Sequence, residues 1–418
     1  MAEVLESLTR RAKGETDIRN WLGLSPERPR TNSDGSSLNR VECEVSFSTE
    51  PNDIPEYEWN ALAAHAIVEN PFYDRTFLLA GLSTIESRRP LSFFSVWKGG
   101  SLVGLFPARL RFGYALGAQN IYQFSGTPLV HRECAEEVIT AWLLFIRSGR
   151  TLGCWKLPNL QLSGPLHELI GRVAARLNIA VAETDAYARP QLVRLDSGFD
   201  SHLTKVFGKS RRKEIERCMR RLREKGGLRM ERATSTAEVK KAIEVFMTME
   251  ESGWKGRSGT ALLSDPVHAS FARTALTSEE IGGGTIVDLL LLDERPIAAS
   301  INITNGSVLF TPKCTYCESF RNLAPGLVLE YMVIERFYRD TERFVRMDAA
   351  TLADGHVIQG LWNETVSVGT VYIGKPAKIA FALQLHRLRR VLKPPARKLR
   401  SFFLSLFRGA PRAAVTGS

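Results

Sequence analysis

The sequence predicts an α/β protein in two domains, and three observations carry that prediction. Its 418 residues exceed the roughly 100–200 that one domain usually holds. Hydrophobic residues at 44% and charged residues at 24% are globular averages, so the chain can bury real cores. Helical and strand periodicities also alternate along both halves, downstream of a polar stretch rich in Pro, Ser, Asn and Arg from Ser25 to Arg40.

The elements follow in order. Residues 1–40 read as a flexible segment, and folding is expected to begin near Val41. A helix is expected from Tyr57 to Ile67, with strands at Leu91–Trp97 and Leu102–Leu110, a short strand at Ile121–Phe124 and a helix at Ala135–Phe145. A long basic helix spans Ser201 to Lys225, with Gly226-Gly227 as its stop. Ser235 followed by Glu238 makes a capping box ahead of the apolar stripe Val239, Ile243, Phe246 and Met249, a helix ending at Gly253. Strands at Thr285–Leu292, Pro296–Ile303 and Val308–Tyr316 are joined by the tight turns Asp293-Glu294-Arg295 and Asn305-Gly306, which makes them an antiparallel meander. A helix at Pro325–Arg339 and strands at Phe344–Met347 and Thr370–Ile373 complete the set. Segments VWKGGSLVGLFP from Val96 and LLDERPIAASI from Leu291 share one plan, a strand, a short polar turn and a strand rich in small residues.

Composition excludes several classes. No apolar run approaches the roughly 18 residues that span a bilayer, and the N-terminus lacks a secretory core, so a cytosolic or peripheral membrane location is expected. Six scattered cysteines do not make a disulfide framework. Cys314 and Cys317 form a lone CxxC, too few ligands for a tetrahedral zinc, and they would point apart on a continuing strand. The net charge of +11 is all in the tail: no acidic residue follows Glu364, whereas eleven Lys and Arg do, and the other 45 are matched by 45 Asp and Glu. A nucleic-acid-binding core is therefore not indicated.

The sharpest local signal is Arg321-Asn322-Leu323-Ala324-Pro325-Gly326, between a strand and an amphipathic helix. Small residues let a ligand approach the main chain. Pro suits the first helical turn, and free N–H groups with the helix dipole attract phosphate oxygens. An ordinary Pro-Gly helix start is the plain alternative.

In its context of meander, loop, helix and strand, this segment resembles the GNAT acyltransferases, whose acyl-CoA loop reads Arg/Gln-x-x-Gly-x-Gly/Ala. Arg321, Ala324 and Gly326 match, with Ala for the first Gly. Within that superfamily the second half resembles the FemAB-like and CelD-like branch. The matching residues are Trp254-Lys255-Gly256, Pro296-Ile297-Ala298, Lys313 with Tyr316, Pro325-Gly326, Asp348 and the segment His356 to Trp362. The likeness covers roughly Leu192 to Tyr372 and implies tandem GNAT-like domains, each a mixed, mostly antiparallel sheet flanked by helices. They would occupy residues 41–190 and 191–374, the second including the basic helix 201–225, with a basic amphipathic tail at 375–418. The first half shows no phosphate loop, so a single CoA site is expected.

The resemblance implies that acetyl-CoA or another acyl-CoA binds at Arg321, Asn322, Leu323, Ala324, Pro325, Gly326, Leu327 and Val328, without a metal. Trp254, Lys255, Lys313 and Tyr316 would meet the acceptor, an amine or hydroxyl whose proton a carboxylate or imidazole would take. Asp348, Glu251 and His356 are the candidates. Their plain alternatives are a helix cap, a solvated acid and a packed imidazole. The superfamily's usual tyrosine acid after the Phe344–Met347 strand is not seen. Trp254-Lys255-Gly256-Arg257 offers a flat aromatic and two cations, a surface suited to a sugar or an anion.

The basic helix has an apolar stripe at Ile215, Met219 and Leu222, so one face packs and the other is cationic. FemAB-type aminoacyl-tRNA enzymes carry a helical hairpin there. A single helix in a core of no net charge argues against tRNA. The tail interleaves its cations with Phe381, Leu385, Leu388, Phe402 and Phe403, a pattern that can lie on an anionic bilayer. The sequence thus points to an acyl-CoA-dependent acyltransferase acting on a sugar or envelope-polysaccharide precursor. Its alternatives are aminoacyl-tRNA-dependent peptidyl transfer and a non-catalytic scaffold of a polysaccharide synthase.

Overall fold

The computed structural model describes residues 42–388 apart from 112, 150–152, 278–283, 341–342 and 352–359. The first half comprises β1 (Glu44–Ser48), α1 (Glu56–Ala64), α2 (Arg75–Ser83), β2 (Ser92–Lys98), β3 (Ser101–Arg111), β4 (Tyr114–Gly117), β5 (Leu129–Val130), α3 (Ala135–Ser148), β6 (Cys154–Gln161) and α4 (Pro165–Arg176). A 14-residue strand, β7 (Ala180–Val193), leads to α5 (Gly198–His202) and α6 (Gly208–Arg223). The second half continues with β8 (Leu228–Ala233), α7 (Thr236–Ser252), α8 (Trp254–Arg257), α9 (Pro266–Leu276), β9 (Thr285–Leu292), β10 (Arg295–Ile303), β11 (Val308–Tyr316), α10 (Pro325–Arg339), β12 (Arg346–Asp348) and β13 (Glu364–Gly374). Residues 376–388 form a last helix, α11.

Both halves run strand, helices, meander, helix, strand, and their strands join in one mixed, mostly antiparallel sheet. Its order is β1-β2-β3-β4-β6-β13-β7-β12-β11-β10-β9-β8, with β5 attached to β3. The seam is made by exchange. β13 returns from the second half to pair with β6, and β7 pairs with β13 along most of its length and with β12 through its last residues. The boundary expected after residue 190 therefore falls inside a strand that serves both halves.

Helices cover both faces. α3 and α4 close a core around Phe106, Trp142 and Trp155, whose rings stack or meet edge to face. α6 and α10 pack over the second half through Ile215, Leu222, Val328, Val333 and Phe337. On the opposite face, α7 and α9 share a core with α2 of the first half. There Phe72 meets Phe310, and Phe77 and Tyr122 meet Phe271, at centroid separations of 4.8–5.6 Å. Each buried ring contributes about 1.5–3 kcal/mol, so the halves are held together by a common apolar core.

The capping box holds: Ser235 accepts from the Glu238 N–H, and the Glu238 carboxylate accepts from that of Ser235. Two expected elements are corrected. Residues 121–124 are not a strand, because Gln123, Ser125 and Thr127 turn inward to hydrogen-bonding partners in an irregular loop. The basic helix is not continuous from Ser201 to Lys225. α5 begins at Gly198, widens into a π-turn over Leu203–Phe207 that buries both of those end residues, and winds again from Gly208 at φ +66°, a backbone angle that favours glycine. α6 does present one buried face (Ile215, Cys218, Leu222) and one cationic face. The N-terminal forty residues and the tail beyond residue 388 lie outside the described residues.

Candidate active site

β11 pairs with β10 through to Tyr316, but on its other edge it meets β12 only over Val308–Phe310, opposite Arg346–Asp348. From Thr311 to Tyr316 no strand among the described residues pairs with that edge. An extended ligand arm could satisfy its main-chain groups.

The edge runs into the expected loop. Residues Glu318–Leu323 make a 3-10 turn, Ala324 adopts a left-handed conformation at φ +43°, and α10 begins at Pro325. Arg321 and Asn322 are exposed, while Leu323 and Val328 anchor the loop in the core. Leu327 and Val328 donate their N–H groups to the Ala324 carbonyl, Pro325 has none, and that of Gly326 has no main-chain acceptor among the described residues. A Cβ on Gly326 would meet only the Tyr316 ring at 3.7 Å, an ordinary contact. Protein packing thus leaves this first turn clear, and no acidic residue stands in it. The residues present fit a pyrophosphate: a free N–H, a positive helix end and a nearby guanidinium.

On the opposite face of β11 the structure brings together residues that are far apart in sequence. Lys313 Nζ lies 3.1 Å from a carboxylate oxygen of Glu250 and 5.7 Å above the ring of Tyr122, which belongs to the first half. Lys255 Nζ donates to the same Glu250 oxygen at 2.9 Å and to the Cys314 carbonyl at 3.1 Å. The other Glu250 oxygen accepts from the Leu262 N–H. Burial alone would raise the Glu250 carboxyl, but Lys313, Lys255 and these hydrogen bonds outweigh it and hold the carboxyl below its ordinary range. Burial lowers the proton affinity of Lys313; Glu250 opposes this and Lys255 reinforces it, and the net shift is downward.

Trp254 stands exposed beside this cluster, its ring 6.0 Å from Lys255 Nζ. Trp254–Arg257 form the one-turn helix α8. Gly256 is required there, since a Cβ would lie 1.8 Å from the Glu251 carbonyl oxygen. Glu318 ties α8 to the turn that precedes α10, accepting from the Trp254 N–H at 2.7 Å and from Arg257 at 2.6 Å. Tyr316 projects to the α10 side, against Gly326.

The candidate acids part company. Asp348 is buried, and its carboxylate accepts from the Ala350 N–H at 2.8 Å and Gln191 at 2.9 Å and lies 3.5 Å from Arg189, so it fastens β12 to β7. Glu251 points away from the cluster and accepts from Ser264. His356 lies outside the described residues. Glu250, Tyr122 and Glu330 were not singled out in sequence. Glu250 was legible in one respect, as an acid four residues beyond Phe246 on the apolar stripe. Glu330, in α10, accepts from the Trp362 indole at 2.7 Å, and burial pushes its carboxyl up to about 7.

Residues 209–349 match the family described as acetyltransferase (GNAT) domain. No curated protein matches the chain. Among solved structures, FemX aligns at a TM-score of 0.51 and 12% identity, over 81% of this chain and 98% of its own. A protein of unknown function from Bacteroides thetaiotaomicron VPI-5482 aligns at 0.48 and 11%, over 79% and 99%. A tandem GNAT protein from the clavulanic acid biosynthesis pathway aligns at 0.43 and 16%, over 80% and 98%. At such identities the likeness to FemX is one of fold. The family match lies across the loop, Lys255, Lys313 and β12, so residues 209–349 are similar to GNAT acetyltransferase domains, and the chain as a whole shares its fold with FemX.

Proposed function

We propose that the second half transfers an acyl group from acyl-CoA, acetyl-CoA in the simplest case, to an amine or hydroxyl of a sugar or envelope-polysaccharide precursor. The observation that carries the reading is the open β11 edge running into an unobstructed helix start at Pro325-Gly326. The donor's pyrophosphate would sit at Arg321 to Val328, and its thioester arm along residues 311–316. Lys313 is the side chain best placed to meet the acceptor, because burial lowers its proton affinity while Glu250 and Tyr122 hold its position. Trp254 and Lys255 would flank the acceptor, and Glu318 keeps their helix in register with the donor loop.

The test is thermal unfolding with and without acetyl-CoA, for the parent and for Arg321→Ala combined with Gly326→Glu. A ligand at about 100 times its Kd adds roughly 2.7 kcal/mol, a rise of a few degrees. The reading requires that rise in the parent and its loss in the variant. An unshifted transition, with salt-sensitive binding of aminoacyl-tRNA, would replace acyl-CoA with aminoacyl transfer. An unshifted transition with co-purification of a synthase would replace catalysis with a scaffold role.

The place of action is read as an anionic membrane surface. No helix among the described residues is long and apolar enough to cross a membrane. α11 packs Ile379, Ala382 and Leu383 on the sheet and exposes Phe381 (68%) and Leu388 (54%), at the start of a tail of eleven cations without an acid. Cosedimentation with vesicles containing phosphatidylglycerol should fall in Phe381→Glu/Leu388→Glu, and an unchanged pellet would remove the membrane from the reading.

A further inference from the structure

A cleft of about 350 Å³ lies between the halves, away from the lysine cluster. Its walls include Glu69, Arg132 and Gln161 on one side and Ser307, Val308 and Arg346 on the other. It continues into a narrow inner pocket of about 20 Å³ that shares Glu69, Gln161 and Arg346 and ends at Arg189, Phe310 and Asp348. Phe310 and Asp348 are the last paired residues before the β11 edge opens. The inner end of the cleft therefore abuts the base of the proposed donor channel, from the side of the first half.

The charges around it are accounted for with one exception. Glu69 is committed to the second half: it accepts from the Ser307 N–H and hydroxyl at 2.9 and 2.7 Å and from the Val308 N–H at 2.8 Å. Gly306 must lack a side chain for that approach, since a Cβ would stand 2.6 Å from the Glu69 carboxyl carbon. Arg132 donates to the Ala64, His65 and Ala66 carbonyls, and Arg189 has Asp348 and the Phe124 carbonyl. The side chain of Arg346, which lines both cavities, makes no hydrogen bond or ion pair with any described residue, and its buried Nε has no partner. A half-buried guanidinium without an anion is unfavourable unless something completes it, and its planar fork suits a carboxylate or phosphate.

We propose that this cleft binds a small polar ligand by an anionic group held on Arg346, with Gln161 available to its hydroxyls. The volume stands at the lower end of small-molecule sites, room for a sugar ring and its charged substituent. This binding does not depend on the acyltransferase reading, because the cleft shares no residue with the lysine cluster.

Calorimetry of the full chain without acyl donor, against glucuronate and against glucose 1-phosphate, tests it. At least one should bind, and the one that does tells carboxylate from phosphate. Arg346→Gln should weaken it tenfold or more, and Arg346→Lys should restore it only in part. Gln161→Glu leaves Arg346 in place but sets a second carboxylate in the cleft. It should abolish binding too, and serves where Arg346→Gln melts below the parent. No binding of either probe at millimolar concentration, or binding indifferent to both variants, overturns the proposal. A protein that binds the probe but is not stabilised by acetyl-CoA would keep the cleft and lose the donor reading.

Discussion

The two halves repeat one element order, yet they treat the gap beside their third meander strand in opposite ways. In the first half β4 and β6 pair in parallel over Ala115-Leu116, and the chain then fills the gap itself. Residues 118–128 lie against β6: the Gly126 N–H reaches the Asn159 carbonyl, Asn159 donates to the Gln123 carbonyl, and a Cβ on Gly126 would lie 2.0 Å from the Pro158 oxygen. The matching helix, α3, starts with Glu136 and Glu137 in its first turn, which would repel a phosphate. In the second half β11 and β12 part after three residues, the helix start is free of acids, and no strand among the described residues closes the edge. The loop that fills the first gap also supplies Tyr122 to the wall of the second. One repeat has become the support, and the other has kept the opening.

That contrast can be broken, beginning with the largest effect. Gly126→Ala has no room for its methyl and should cost on the order of 4 kcal/mol or prevent folding, read by chemical denaturation. Glu250→Gln leaves two half-buried ammonium groups sharing no carboxylate and should cost about 3 kcal/mol, with transfer activity falling further than stability explains. A pH series compares the halves through one acid in each. Burial pushes Asp74, in the first half, up to about 7, against its hydrogen bond from Asn305, and burial with Asp288 pushes Glu330, in the second, to a similar value. Each folded carboxyl keeps a proton that the unfolded chain releases near pH 4. The contribution is therefore full below that pH and is lost as pH rises through about 7. The melting temperature should fall from pH 5 to 8, and Asp74→Asn and Glu330→Gln should each flatten part of the fall. Gly326→Ala should have the smallest effect on stability, close to none, while weakening acetyl-CoA about tenfold, or about 1.4 kcal/mol. Equal destabilisation by Gly126→Ala and Gly326→Ala would erase the distinction between the repeats.

Much of the second half was legible in sequence because its signals are local. The β9 and β11 limits, the α10 limits and the Ser235 cap come from turn chemistry, periodicity and capping over a few residues. β7 was not: its sequence AVAETDAYARPQLV lacks clean alternation, includes Asp185 at φ +53°, and becomes a strand by pairing with β12 and β13, more than 150 residues away. At the candidate site, Lys255 and Lys313 were singled out as residue types in context, and the structure brings both to Glu250. Choosing Glu250 over Glu251 needed the helix face, since neighbouring helical positions differ by about 100°.

By itself, the sequence determined the meander, the capped helix, the Pro325-Gly326 helix start and the placement of all excess charge in the tail, because each depends on neighbours in the chain. Tertiary structure alone decided that β13 would return to the first half, that Tyr122 would wall the second half's site, that Asp348 would be taken by Arg189 and Gln191, and that Arg346 would be left facing a cleft. Those outcomes depend on which distant groups burial brings within hydrogen-bonding distance, and a local pattern holds no information about that.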